Sequence, residues 1–119
     1  PVSSDAVDHF ERGIRPDPSR DGVARRILRR YGEPKAAPEC WAGISARTYF
    51  DEITEPVLIH HGTADDQCPI RWSRATTRAL RGAGVDVTLH IYDGEGHAFG
   101  PQFELSMQRT LRFLRRALV

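Results

Sequence analysis

The sequence is short of several things. It has two cysteines, one methionine and a single lysine, Lys35, which leaves sixteen arginines among its seventeen basic residues. Two cysteines make no disulfide framework. Cys40 and Cys68 therefore either pair, tying the segment before the first strand to the loop after it, or stay free, and spacing does not choose between these. No run of 18 apolar residues exists, which excludes a transmembrane helix, and the opening residues do not read as a signal peptide. Charge of one sign is missing as well. Seventeen basic residues against sixteen acidic leave +1, which argues against nucleic acid or an anionic membrane as the main partner. No ligand cluster for a metal stands out: His60 and His61 are neighbours on an expected strand and point to opposite faces. No metal and no cofactor are expected. The compartment stays open, with the cytoplasm favoured.

What is present is ordinary for a globular chain. Of 119 residues, 39% are apolar and 28% charged, enough for one domain or part of one with a modest core. There is no internal repeat and no low-complexity segment. Ser3 or Ser4 is suited to cap a short helix over residues 5–11, broken by the segment 13–19 with its two prolines. Asp21 is expected to cap a second helix over 21–31, with Val23, Ile27, Leu28 and Tyr31 as its apolar stripe and Arg25, Arg26, Arg29 and Arg30 on a solvated face. Gly32 ends it, 34–38 is loop, and 41–53 is ambiguous, with a helical turn near 47–51.

The informative stretch is 55–99. Val57-Leu58-Ile59 opens a strand over 56–61 that ends in a Gly-Thr-Ala-Asp turn. Pro69 suits the first position of a helix over 69–82, which stops at Gly82-Ala83-Gly84. Val85, Val87, Leu89 and Ile91 then alternate with polar residues, a strand over 85–92. Strand, helix, strand is a βαβ unit, whose strands are almost always parallel. Asp65 and His97 each follow the carboxyl end of one of these strands, so the fold brings them to one sheet edge, where chemistry sits in open α/β sheets. An acid and an imidazole together there are two thirds of a nucleophile-activating triad. Asp66 is the rival acid, but Asp65 lies nearer the strand end. Gly94 and Gly96 flank the histidine with backbone freedom. A last helix over 101–118 repeats Phe103, Met107, Leu111, Leu114 and Leu118 at spacings of four, four, three and four, the pattern of a helix covering one sheet face. A pair of parallel strands is a poor sheet by itself, so further strands are expected from outside this sequence.

Two motifs carry a family resemblance. Val57-Leu-Ile-His-His-Gly-Thr-Ala-Asp65-Asp66-Gln67-Cys68-Pro69 and Tyr92-Asp-Gly-Glu-Gly-His97-Ala-Phe99 closely resemble the end of the catalytic domain of prolyl-oligopeptidase-type serine peptidases. Upstream, Tyr31-Gly-Glu-Pro34 and Cys40-Trp-Ala-Gly-Ile-Ser45-Ala-Arg-Thr-Tyr-Phe50 resemble the segment before the acid-bearing strand, so that about 90 positions lie on the family pattern. The resemblance implies an α/β fold, the carboxyl-terminal part of an α/β-hydrolase catalytic domain. Residues 1–54 would be a capping or flanking segment and 55–119 the unit bearing the acid and the histidine. It also implies Asp65 as the acid, His97 as the base, and Gln67 at a place where related peptidases contact substrate.

One part of the pattern is missing. No Gly-x-Ser-x-Gly nucleophile elbow occurs; Gly43-Ile-Ser45-Ala-Arg47 comes nearest but lacks the last glycine and follows no strand. In the serine, acid, histidine order of this fold the serine is expected upstream of Pro1, and the isolated chain is expected to be inactive. Cys68, at a helix amino terminus, is a rival nucleophile in principle, although the family pattern gives its place a structural role. The expected partners are a peptide or ester substrate and the missing amino-terminal half of the domain. A carboxylesterase or dienelactone-hydrolase-like enzyme is the alternative reaction. A non-catalytic truncated module that self-associates as a homo-oligomer through its sheet edge is the alternative of another class.

Overall fold

The computed structural model describes residues 5–119, so the capping role expected of Ser3 or Ser4 lies outside the described residues. The chain divides into two compact units between Tyr49 and Phe50.

The first unit is helical. Asp5 caps α1 (Ala6–His9), its carboxylate accepting the amides of Val7 and Asp8, as short acids do at a helix start. The helix expected over 5–11 widens after His9 into a π-helical turn, Phe10–Ile14. A 3-10 turn, Pro18–Arg20, capped by Asp17, leads into α2 (Asp21–Tyr31). Asp21 is thus the first helical residue and not the cap, because the preceding turn already supplies one. Ala24 is buried where Val23 was expected, and Val23 is 39% exposed. Residues 38–43, which gave no helical signal, form α3 (Pro38–Gly43). It exists to place Trp41, whose ring meets Phe10 at 5.0 Å and Tyr31 at 6.2 Å while its Nε1–H donates to the Gly32 carbonyl at 3.1 Å. Ser45 is buried, its hydroxyl donating to the Trp41 carbonyl and accepting from the Ala6 amide. That hydroxyl ties the helices together, which rules it out as the serine of an elbow. Both cysteines are free thiols.

The second unit follows a 3-10 segment, Ala46–Glu52. Its elements are β1 (Val57–Gly62), α4 (Ile70–Gly82), β2 (Val87–Tyr92) and α5 (Phe103–Ala117). β1 and β2 pair in parallel, Val57 opposite Val87 through Gly62 opposite Tyr92. The second strand starts two residues later than the alternation suggested, because the Val85 amide still belongs to the end of α4, donating to the Leu80 carbonyl. Pro69 is the cap of α4 and not its first residue, and Pro101 precedes α5 by a turn.

The two sheet faces differ. Toward α4, the core is Phe50, Leu80, Val85 and Val87, with Val57 and Ile59 against it. Toward α5 the sheet is polar: His60 bridges the Tyr92 hydroxyl (2.8 Å) and the Thr110 hydroxyl (3.0 Å), and Arg109 lies over the Tyr92 ring. Burial, then the charge of neighbouring His90 and Arg109, pushes the His60 imidazole below its ordinary value.

This polar face overturns the expected packing of α5. Phe103, Met107, Leu111, Leu114 and Leu118 are exposed, while Ser106 is buried and Arg109, Thr110 and Phe113 are half-buried. Periodicity reveals that a helix has an apolar stripe but not which neighbour covers it. No helix among the described residues is long and apolar enough to cross a membrane.

Candidate active site

Each strand of the sheet ends in a loop, and backbone hydrogen bonds join the two loops directly beyond the last strand pair. The Thr63 amide donates to the Tyr92 carbonyl and the Ala64 amide to the Glu95 carbonyl, both at 2.9 Å. Thr63 also donates its hydroxyl to Asp93 at 3.0 Å and accepts the Gly94 amide at 2.9 Å. Gly94 adopts φ +76°, a left-handed conformation that most side chains resist. Gly62 is required for a different reason. A Cβ there would stand 2.1 Å from the Glu95 carbonyl oxygen, so only glycine lets the loops close to this distance.

Asp65 sits in a tight turn of the first loop. Its Oδ1 accepts the amides of Gln67 (2.9 Å) and Cys68 (2.8 Å), a short acid closing a turn on its own backbone. Beneath it, buried His61 meets the Ser73 hydroxyl at Nδ1 (2.5 Å) and the Cys68 carbonyl at Nε2 (2.8 Å), with Asp65 Oδ2 at 3.4 Å from that same nitrogen. A carbonyl only accepts, so Nε2 carries a proton and Nδ1 accepts from Ser73. His61 thereby ties the acid turn to α4.

In the second loop, Glu95 is 2% exposed, yet both its carboxylate oxygens are used: Oε2 accepts the Gly100 amide and Oε1 the Gln102 amide, each at 2.7 Å. Glu95 therefore ties the start of the loop that carries His97 to its far end. The sequence assigns Glu95 no role, and it brings in His61 only beside His60 as a metal ligand. The only signal was an acid flanked by Gly94 and Gly96 and a second histidine on a strand, both of which read as incidental without a three-dimensional context.

The loops bring Asp65 and His97 together across 32 positions of sequence. His97 Nδ1 lies 3.0 Å from Asp65 Oδ2 and 3.2 Å from Oδ1. The Asp65 side chain is 5% exposed and that of His97 42%. Asp66, the rival acid, is exposed and makes no such contact with His97. Burial pushes the Asp65 carboxyl up, but the Cys68 amide, the His97 ring and the Gln67 amide together hold it below its ordinary value. Against an ionised acceptor Nδ1 must carry the proton, leaving Nε2 with a lone pair. Among the described residues nothing hydrogen-bonds Nε2. The pair has the parts of a general base with its orienting acid. Gln67 contributes its backbone amide to the acid turn and is exposed. Of the described residues, those placed to hold a cation are Asp65, Cys68 and His97, with ligand atoms within 4.8 Å of one another.

The sequence pattern of the prolyl oligopeptidase family matches residues 23–119. No curated protein sequence matches the chain. Among solved structures, the chain is similar to a candidate dipeptidyl aminopeptidase IV from Bacteroides ovatus ATCC 8483, with 20% identity and a TM-score of 0.63 over 79% of this chain and 13% of the other. It is also similar to a serine-to-alanine variant of puromycin hydrolase complexed with PGG, with 25% identity and a TM-score of 0.62 over 92% of this chain and 15% of the other. A further structure of puromycin hydrolase matches at 25% identity and a TM-score of 0.58, over 82% and 14%. The chain thus spans about one seventh of the length of these relatives. The fold is that of the α/β-hydrolase peptidases, as the parallel strands and their crossover helix imply.

Proposed function

The chain belongs to the prolyl oligopeptidase family, and from that premise we propose that it supplies the acid and the base of a serine hydrolase. Asp65 holds His97 in the tautomer with the proton on Nδ1. His97 Nε2 takes the proton of a serine hydroxyl as the oxygen attacks a carbonyl carbon, then returns it to the leaving group. Water repeats the cycle and releases the acyl product. Cleavage of a peptide bond is the reading that the family and the peptidase neighbours favour, and Gln67, exposed in the acid turn, is a candidate substrate contact. The serine and its oxyanion donors come from a segment outside this sequence, so the 119 residues alone are inactive. The observation that carries the reading is the 3.0 Å contact between His97 and a buried acid, at the carboxyl edge of two parallel strands.

A serine-reactive phosphonate tests it. In a polypeptide that contains these residues together with the upstream segment, the probe labels one serine, and His97→Ala abolishes labelling while leaving the circular dichroism unchanged. Undiminished labelling of that variant would remove His97 from the role of base.

A further inference from the structure

A third side chain joins the acid and the imidazole without a part in proton transfer. Cys68 is a half-buried free thiol, and its ligand atom, that of His97 and that of Asp65 lie within 4.8 Å of one another. One thiolate, one imidazole and one carboxylate form a donor set that zinc takes readily, at about 2.3 Å for sulfur and about 2.1 Å for nitrogen and oxygen. Bonds of those lengths require the donors to approach by less than about 1.5 Å. His97 is on an exposed loop with room for that movement. The other two donors come ready placed. Asp65 Oδ1 is anchored by the Gln67 and Cys68 amides, which leaves Oδ2 facing His97 Nδ1 at 3.0 Å. His61, hydrogen-bonded to the Cys68 carbonyl, steadies the same turn from below. Such outer partners orient ligands and raise affinity.

We propose that Asp65, Cys68 and His97 form a binding site for a thiophilic divalent cation, zinc foremost, with solvent completing the coordination. Cys68 binds as the thiolate and releases its proton to water, and the neutral His97 ring binds through Nδ1 after its proton moves through solvent to Nε2. The sequence pointed away from metal because His60 and His61 diverge. The trio instead joins the acid turn to a loop 29 positions beyond Cys68. Its role is inhibitory and not that of a cofactor. A ring that ligates zinc through Nδ1 has exchanged its hydrogen bond to Asp65 for the metal, carries its proton on Nε2 and no longer serves as a base, a consequence that rests on the hydrolase reading whereas the site itself does not.

Cobalt titration of the reduced chain tests the site. The expected result is a thiolate-to-cobalt charge-transfer band in the near ultraviolet that zinc abolishes. Cys40→Ser leaves the band in place. Cys68→Ser removes it and weakens zinc binding about a hundredfold, and His97→Gln weakens binding to a similar extent without removing the thiol. No band in the wild-type chain, or a band that disappears with Cys40 in place of Cys68, overturns the proposal. Zinc inhibition in a polypeptide with the serine tests the consequence separately: a band without inhibition keeps the site and defeats only the role of His97 as base.

Discussion

The two loops at the sheet edge solve opposite problems. The first holds a carboxylate still. Asp65 is almost wholly buried, its Oδ1 takes two backbone amides, and His61 braces the turn from the side of α4. The second presents a ring to the outside. His97 is 42% exposed, and its contact with Asp65 is its anchor among the described residues. That loop owes its order to Glu95, which stands at its start and grips its far end at Gly100 and Gln102. An orienting acid benefits from a fixed position, since its task is to hold a tautomer. A base that must meet both a hydroxyl and a leaving group needs access. The difference teaches that the proposed acid–base pair joins one rigid partner and one displayed partner, with the rigidity of the second supplied from behind.

The sharpest way to separate the loops is by turnover in a polypeptide that also carries the serine. His97→Ala is expected to lower kcat about a million-fold, whereas Asp65→Asn, which leaves the turn in place but disturbs the tautomer, costs about ten-thousandfold. Steady-state kinetics decide this, and equal losses would mean that the ring depends on Asp65 for everything it does.

Breaking the seam between the loops has the next largest effect. Gly62→Ala drives a Cβ into backbone atoms of Glu95, 2.1 Å from the oxygen and 2.5 Å from the carbon. Backbone cannot rotate away as a side chain does, so the cost is about 3 kcal/mol in stability, read from urea unfolding. An unchanged midpoint would show that the loops are not closed this tightly.

A milder loss is expected when the clamp alone is removed. Glu95→Ala leaves the Gly100 and Gln102 amides without their carboxylate, at a cost of about 2 kcal/mol. Hydrogen exchange should accelerate at Gly100 and Gln102 and not at Gln67 or Cys68. Acceleration in both loops would erase the distinction drawn between them.

The smallest effect is a pH dependence confined to the acid turn. The folded Asp65 carboxyl titrates below its ordinary value of 3.8, so its stabilising contribution is complete above that pH. As pH falls through the folded value, the carboxylate is protonated and the contribution disappears. Thermal unfolding measured from pH 5 downward should show this decline, and Asp65→Asn should flatten it. A slope that Asp65→Asn leaves untouched would assign the acid limb to other carboxylates.

Much of the unit with the site was legible in the sequence. The alternation of Val87, Leu89 and Ile91, the apolar run at Val57 and the glycine stops between them reflect local geometry, and a parallel crossover follows from chirality. The placement of Asp65 and His97 at one edge therefore needed no structure. The first unit was harder to read. α3 has no periodicity to reveal it, since six residues are held by the burial of a single ring, Trp41. The stripe of α5 was visible as a stripe, but the sheet face opposite bears His60, His90 and Tyr92, and so the helix turned Ser106 and Thr110 inward.

The sequence by itself determined the elements that carry Asp65 and His97, because strand alternation, helix stops and turn acids are written in residues close together along the chain. Only the tertiary structure decided that Glu95 and His61 brace the two loops and that Cys68 joins the donors of Asp65 and His97. Those choices depend on side chains that the fold turns toward one another, Cys68 and His97 across 29 positions and Glu95 and His61 onto groups 5 to 12 positions away, and no local pattern records such an approach.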